Sequence, residues 1–294
     1  MKMRKIEYLL SGFADEISGD LTTQLEWFQR LGMHYIEMRG VDGNNLIYHT
    51  DDKVAEIKAR LDAAGIALSA LGSLLGKIGI TDPFEPHFAE FQRAVEIAHR
   101  MGTRNIRMFS FYVPEGETKR YREQVFDRLG RFVDYAAAND VVLLHENEKG
   151  IYGERAAECK ELMDCFYGEH FKAIFDFANF VQAKQDTLEA YELLGDFVAY
   201  VHVKDALWES GSVVPAGMGD GNVSGILKKL YANGFHGFLS REPHLFQFSG
   251  FAGLERGKQI ASGGTARTLS GAEAFALAQE SLLRLLQEID IISE

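Results

Sequence analysis

Cysteine is nearly absent from this chain of 294 residues, which has only two, Cys159 and Cys165. They sit six residues apart on one predicted helix, a spacing that suits neither a metal knuckle nor a disulfide, and such sparse use fits a reducing compartment. Basic charge is also short: 31 Lys and Arg face 43 Asp and Glu, for a formal net charge of −12. Binding to a phosphate backbone rests on clustered Lys and Arg, so nucleic acid is excluded as a partner. No run approaches the roughly 20 apolar residues of a membrane helix. The opening "MKMRKIEYLLSGFADE" carries positive charge, but Glu7 interrupts it and no apolar h-region or small-residue cleavage site follows. These absences predict a cytoplasmic protein with no membrane partner. Proline is scarce as well, at 5 residues. No Pro-rich linker or low-complexity block divides residues 1–294, which reads as a single domain.

What is present is ordinary globular composition, 46% hydrophobic and 25% charged. Short apolar runs alternate with longer amphipathic ones from end to end. The short runs are "IEYLLSGF" (6–13), "MHYIEM" (33–38), "IALSAL" (66–71), "NIRMFSF" (105–111), "VVLLHE" (141–146), "KAIFDF" (172–177), "FVAYVHV" (197–203) and "GFLSRE" (237–242). Between them, stretches such as "DLTTQLEWFQRLG" and "PHFAEFQRAVEIAHRMG" repeat apolar residues at three and four and stop at a Gly or Asn. Strands alternating with helices imply parallel βαβ units, and continuous apolar strands imply a sheet covered on both faces. Eight such units and a final helix near 270–290 fit an α/β fold of the (β/α)8 TIM barrel type. A doubly wound sheet more often has about five or six strands, and its dinucleotide-binding members carry an early glycine-rich fingerprint that is missing here. The stretch 247–267, "QFSGFAGLERGKQIASGGTAR", reads as a long βα loop, either a lid or binding element or a disordered segment.

In such a barrel the catalytic groups stand at the C-terminal strand ends. The last four strands end in Glu146, Asp176, His202 and Glu242. Side chains alternate along a strand, so Glu146 shares a face with Leu144 and Val142, Asp176 with Ile174, and Glu242 with Ser240 and Phe238. Pro243 holds the residue before it extended, which keeps Glu242 on its strand. Three carboxylates and an imidazole converging in a water-poor mouth are unfavourable unless a cation joins them. Oxygen-rich ligands with one nitrogen suit one divalent metal ion, Mn, Mg, Co or Zn, with open positions for substrate.

The order "HENE", "FDFANF", "HVKD", "SREPH" at these tips, with "GFADEIS" and "YIEMRG" at the first two strands, resembles the xylose-isomerase-like barrel superfamily. This is the sugar phosphate isomerase/epimerase group, and the resemblance spans nearly the whole chain. It implies that Glu146, Asp176, His202 and Glu242 are metal ligands and that Glu146 and Glu242 double as the catalytic acid/base pair. The implied activity is isomerisation or epimerisation of a small ketose or related sugar, through proton abstraction and a metal-stabilised enediolate. The alternative is a metal-dependent dehydratase of a keto-polyol, like the inosose dehydratases. DNA repair endonucleases that share the barrel look like histidine-rich multi-metal sites beside a basic groove, which this chain lacks. A barrel that only binds or senses a sugar is disfavoured by the two glutamates. Ketose 3-epimerases carry a substrate-binding His three residues after the Asp ligand and an Arg six after the His ligand. This chain has Asn179 and Trp208 there. Asn179 retains a hydrogen bond for a hydroxyl, Trp208 offers a ring to a sugar face, and the loss of that Arg weakens the case for a phosphorylated substrate.

Other residues extend the candidate substrate contacts. Lys204 shares the parity of His202 and faces the mouth, with an ion pair to Glu148 or another acid at the rim as its structural alternative. Glu37, Arg39 and Arg107 either form an ion pair across the mouth or contact substrate. "GSLLGK" (72–77) is one residue short of a phosphate loop between its glycines and lacks the following Ser or Thr, yet Ser73 and Lys77 can reach substrate. Asp205 has the opposite parity and is expected to fix Lys204 or the loop. In "GMGDGN" (217–222) a plain turn capped by Asn222 or Ser224 is preferred to an anion site. Asp15 and Glu16 are expected to cap the first helix, and His145 and His244 to back the ligands. The partner is a small-molecule sugar; its identity and homo-oligomerisation stay open.

Overall fold

The computed structural model describes residues 8–245 and 269–292, so the 247–267 loop lies outside the described residues. Eight parallel strands form one sheet: β1 (Leu9–Gly12), β2 (Tyr35–Met38), β3 (Ala67–Leu75), β4 (Asn105–Met108), β5 (Val142–Glu146), β6 (Phe171–Asp176), β7 (Val198–Val203) and β8 (Phe238–Arg241). Each pairs with its sequence neighbour, β8 pairs with β1, and a parallel bridge from Phe13 to Glu37 joins β1 to β2. The ring is a nearly closed (β/α)8 barrel, as the alternation predicts. The α-helices among the described residues are α1 (Leu21–Arg30), α2 (Asp51–Ala64), α3 (Phe84–Met101), α4 (Thr118–Ala138), α5 (Ala156–Phe166), α6 (Phe177–Gln182), α7 (Thr187–Leu194), α8 (Val223–Ala232) and α9 (Gly271–Ile292).

The helix α2 shows how local sequence sets these elements. Thr50 accepts the Lys53 N–H at 3.3 Å as N-cap, and Gly65 ends the helix in the left-handed region at φ 69°. Between them Val54, Ile57 and Leu61 repeat at three and four and are buried against the barrel, each contributing about 1.5–3 kcal/mol. Two expectations need correction. The cap of α1 is Asp20, which accepts the Thr23 N–H at 2.8 Å, whereas Asp15 and Glu16 lie in the preceding 3-10 turn. Strand β3 runs to Leu75 rather than stopping at Leu71, pairing on with β4 across a register shift. It ends at Gly76, whose φ of 84° and contact with the Phe109 carbonyl leave no room for a side chain.

Alternation then assigns the faces. Leu143, Phe175, Val201 and Leu239 point outward into the main core beneath the helices. Val142, Leu144, Ile174 and Tyr200 point inward and pack with Ala70 as the barrel floor. Continuing inward parity past that floor brings the chain to Glu146, Asp176, His202 and Glu242. No helix among the described residues is long and apolar enough to cross a membrane.

Candidate metal centre and active site

The four strand-end residues meet. Glu146, Asp176, His202 and Glu242 each offer a donor atom, all within 4.8 Å of one another, and all four side chains are buried. His202 Nδ1 is 2.9 Å from Glu146 Oε1 and 3.9 Å from both Asp176 Oδ2 and Glu242 Oε2. Despite these separations His202 Nδ1 and Asp176 Oδ2 are both buried without a hydrogen bond. Buried polar atoms left open around one point fit a cation with mixed oxygen and nitrogen preference, and the donor set matches Mn, Mg, Co or Zn.

The surrounding residues fix which atoms are offered. His202 Nε2–H donates to Glu37 Oε2 at 3.1 Å, which leaves Nδ1 facing the centre. Glu37 Oε2 also accepts the Tyr200 hydroxyl at 2.9 Å and the Ser240 hydroxyl at 2.7 Å. Tyr200 in turn meets Ser69 at 2.8 Å, and Ser69 meets Ser11 at 2.6 Å, so a polar layer lies on the apolar floor. Asp176 ends β6 and begins α6: its Oδ1 caps the Asn179 N–H at 2.8 Å, and Oδ2 is turned to the centre. Asn147 clamps this junction, accepting the Asp176 N–H at 2.9 Å and donating to the Asp176 carbonyl at 3.0 Å.

Three cations converge on the same carboxylates. Lys204 Nζ is 2.7 Å from Glu242 Oε2 and 3.1 Å from Asp176 Oδ2. Arg107 Nη1 lies 3.1 Å from Glu146 Oε2 and 3.5 Å from Glu242 Oε1, and Arg39 Nη1 is 2.9 Å from Glu242 Oε1. Phe13 supports both guanidiniums, 4.4 Å from Arg39 and 4.8 Å from Arg107. Burial pushes every carboxyl here up, but for Glu146 the His202 and Arg107 charges prevail and hold it below its ordinary value. For Glu242 burial is likewise outweighed, by Lys204, His244 and His202, and the carboxyl falls well below its usual range. At Asp176 burial wins over Lys204, and the carboxyl is raised. Burial lowers His202, yet Glu146 and Glu37 raise it well above a free imidazole.

The remaining sequence candidates divide. Asn179 joins the site, its Nδ2 donating to Glu146 Oε1 at 3.3 Å and to the Asn147 carbonyl at 2.9 Å. Glu37 is fully buried, with its Oε2 taken by His202, Tyr200 and Ser240. Ser73 donates its hydroxyl to the Arg107 carbonyl, and its own carbonyl accepts Arg107 Nε at 3.3 Å, so it holds the arginine. Trp208 packs on Ala178, Val181 and Ala206, with Lys184 Nζ 5.3 Å from its ring centre. Glu148 pairs with Lys77 at 3.0 Å, not with Lys204. Asp205 fixes the loop, accepting the N–H groups of Ala206, Gly217, Gly219 and Gly221 at 2.9–3.0 Å. The glycine turn therefore does hold an anion, but the chain's own. Asn222 starts α8 without a side-chain cap and donates to Thr187 instead. His145 faces away from the centre, meeting Ser110 at 3.0 Å. Tyr200, Ser240, Asn147 and Glu16 are not among the site residues the sequence singles out; Tyr200 and Ser240 lie two before His202 and Glu242 on the inward parity, which is the signal that marks them.

Residues 25–262 match the family model of the xylose isomerase-like TIM barrel. No curated protein sequence matches the chain. Among solved structures, the IOLI protein with a bound zinc atom is 17% identical at a TM-score of 0.72, covering 95% of this chain and 98% of that one. A xylose isomerase domain protein from Planctomyces limnophilus is 20% identical at 0.71, covering 97% and 99%. The 3-keto-D-glucoside 4-epimerase YcjR from E. coli is 16% identical at 0.66, covering 96% and 100%. These likenesses establish the fold, and the family match adds the lineage: the chain belongs to the xylose isomerase-like TIM barrel family.

Proposed function

We propose that the protein is a divalent-metal-dependent isomerase or epimerase of a small ketose or related sugar. The observation that carries this reading is the convergence of Glu146, Asp176, His202 and Glu242 within 4.8 Å at the barrel mouth. These four would hold the ion, which when bound supplies Lewis-acid polarisation of a carbonyl and its neighbouring hydroxyl. Glu146 and Glu242 are both held ionised by neighbouring charge, so either can take the α-proton as general base and the other, or the same one, can return it. Return on the opposite face inverts the centre, and return at the adjacent carbon moves the carbonyl. Arg107 touches both glutamates, and its Nη2 is a buried donor without a partner, suited to an enediolate oxygen. Burial of the ligands keeps bulk water from the reacting carbons.

The test is α-proton exchange with deuterated water across a ketose panel, using metal-loaded protein. At least one neutral ketose should exchange, and Glu146→Gln and Glu242→Gln should each reduce the rate by about 10²-fold or more. Unchanged exchange in both variants would remove the glutamates from the chemistry. A product lighter by one water would replace isomerisation with the dehydratase reading.

A further inference from the structure

Glu242 belongs to a second buried group, with Glu16 and His244, whose donor atoms also lie within 4.8 Å of one another. Glu16 is only 3% exposed. Its Oε2 accepts the His244 backbone N–H at 2.7 Å, while Oε1 is buried with no hydrogen-bond partner. His244 Nε2 stands 3.6 Å from that oxygen and 3.5 Å from Glu242 Oε1, and Arg39 Nη2 is 3.7 Å from Glu16 Oε1. These separations exceed a direct hydrogen bond by a few tenths of an ångström. His244 also has a left-handed backbone, φ 46°, uncommon outside glycine and frequent where a site dictates the conformation.

Three kinds of occupant can be weighed by charge. A second metal ion would share Glu242 with the first and stand beside the Arg39 guanidinium, 2.9 Å from Glu242 Oε1, so two metal ions and a guanidinium would crowd one buried carboxylate. An anion would face two carboxylates. A hydroxyl both donates and accepts, so it satisfies Glu16 Oε1 whether or not that carboxyl carries a proton, and can meet His244 or Arg39 with its other capacity.

We infer that Glu16, His244 and Glu242 form a subsite for a substrate hydroxyl, and that the substrate is an uncharged polyhydroxy ketone with no phosphate or carboxylate at that end. This rests on the reading of Glu242 as a ligand and base, and places the recognised hydroxyl close to the reacting carbons. The residues lie just past the ends of the first and last strands, which the barrel closure brings together across 228 positions of sequence.

The experiment uses manganese-loaded full-length protein and ligand-observed NMR with xylitol, myo-inositol, D-fructose, D-psicose and fructose 6-phosphate. A neutral member should bind, fructose 6-phosphate should bind no more tightly than fructose, and Glu16→Ala and His244→Ala should each weaken the neutral ligand about tenfold. Glu16→Gln, which keeps a hydroxyl partner, should restore most of that binding, and metal content should stay at one ion per chain throughout. Either alanine variant suffices if the other does not fold. Binding unchanged in the alanine variants, tighter binding of the phosphorylated sugar, no binding of any neutral member, or loss of a second metal equivalent would each overturn the subsite. Polyol binding that responds as expected without any proton exchange would instead leave the subsite standing and remove the proposed reaction.

Discussion

Glu37→Gln separates orientation of the proposed metal site from ligation. The carboxylate is fully buried, and its Oε2 collects three donors: His202 Nε2 at 3.1 Å, Tyr200 at 2.9 Å and Ser240 at 2.7 Å. Oε1 sees only His202 Nε2, at 3.3 Å. An amide placed with its oxygen at the Oε2 position keeps all three donors, and its NH2 then opposes only a weak contact. The cost to folding is therefore modest, about 1–2 kcal/mol. The cost to metal affinity is larger, because His202 loses the anionic partner that fixes its tautomer. Losses of this kind run to about 10–100-fold, or about 1.4–2.7 kcal/mol. Glu37 also favours the imidazolium that a metal must deprotonate, so at neutral pH the two effects oppose each other. The deficit should widen as pH rises and proton competition fades. Chelator-competition titration of Mn²⁺ from pH 7 to 9, with thermal unfolding as the control, measures both. Affinity within twofold of wild type at the upper pH, in a folded variant, would refute the orienting role.

Other perturbations probe the frame around the site. Asp205→Ala removes the acceptor of four backbone N–H groups and should cost about 3–5 kcal/mol in thermal unfolding; a loss below 1 kcal/mol would mean the glycine turn holds itself. Gly76→Ala meets both a left-handed backbone and the Phe109 carbonyl, and should cost about 2 kcal/mol or more, read as a lowered Tm. Burial pushes the His145 imidazole down to about 4, below its unfolded value of about 6.5. The unfolded chain then binds the extra proton in that window, so His145 stability is complete above pH 6.5 and declines by about 3 kcal/mol as pH falls toward 4. The difference between wild-type and His145→Gln stability curves isolates this group, and parallel curves would show that the imidazole does not titrate there.

Much of this was legible because a barrel strand is read by parity. Once "VVLLHE" and "FVAYVHV" are taken as strands, Leu144 and Tyr200 face inward and Glu146 and His202 follow on the same side. The convergence of Glu146, Asp176, His202 and Glu242 required no contact information. Their partners did: Arg39 reaches Glu242 across 203 positions, which only closure of β1 against β8 produces. Asp15 and Glu16 look like helix caps in sequence because acidic residues before a helix usually are, but Asp20 takes that role and frees them for Arg39 and His244. Trp208 illustrates the opposite limit, since an aromatic six residues past His202 has no fixed parity once the strand has ended. Lys204 was placed at the mouth by parity, yet its choice of Asp176 and Glu242 over Glu148 depended on where Lys77 came to rest.

The most direct test of the central claim is the metal content of purified protein, measured by mass spectrometry after exposure to Mn²⁺, Mg²⁺, Co²⁺ and Zn²⁺ in turn. One tightly held divalent ion per chain, lost in Asp176→Asn and His202→Leu but retained in Trp208→Phe, is the expected result. A chain that holds none of the four ions, or holds one equally well without Asp176 and His202, would contradict a metal centre at the barrel mouth.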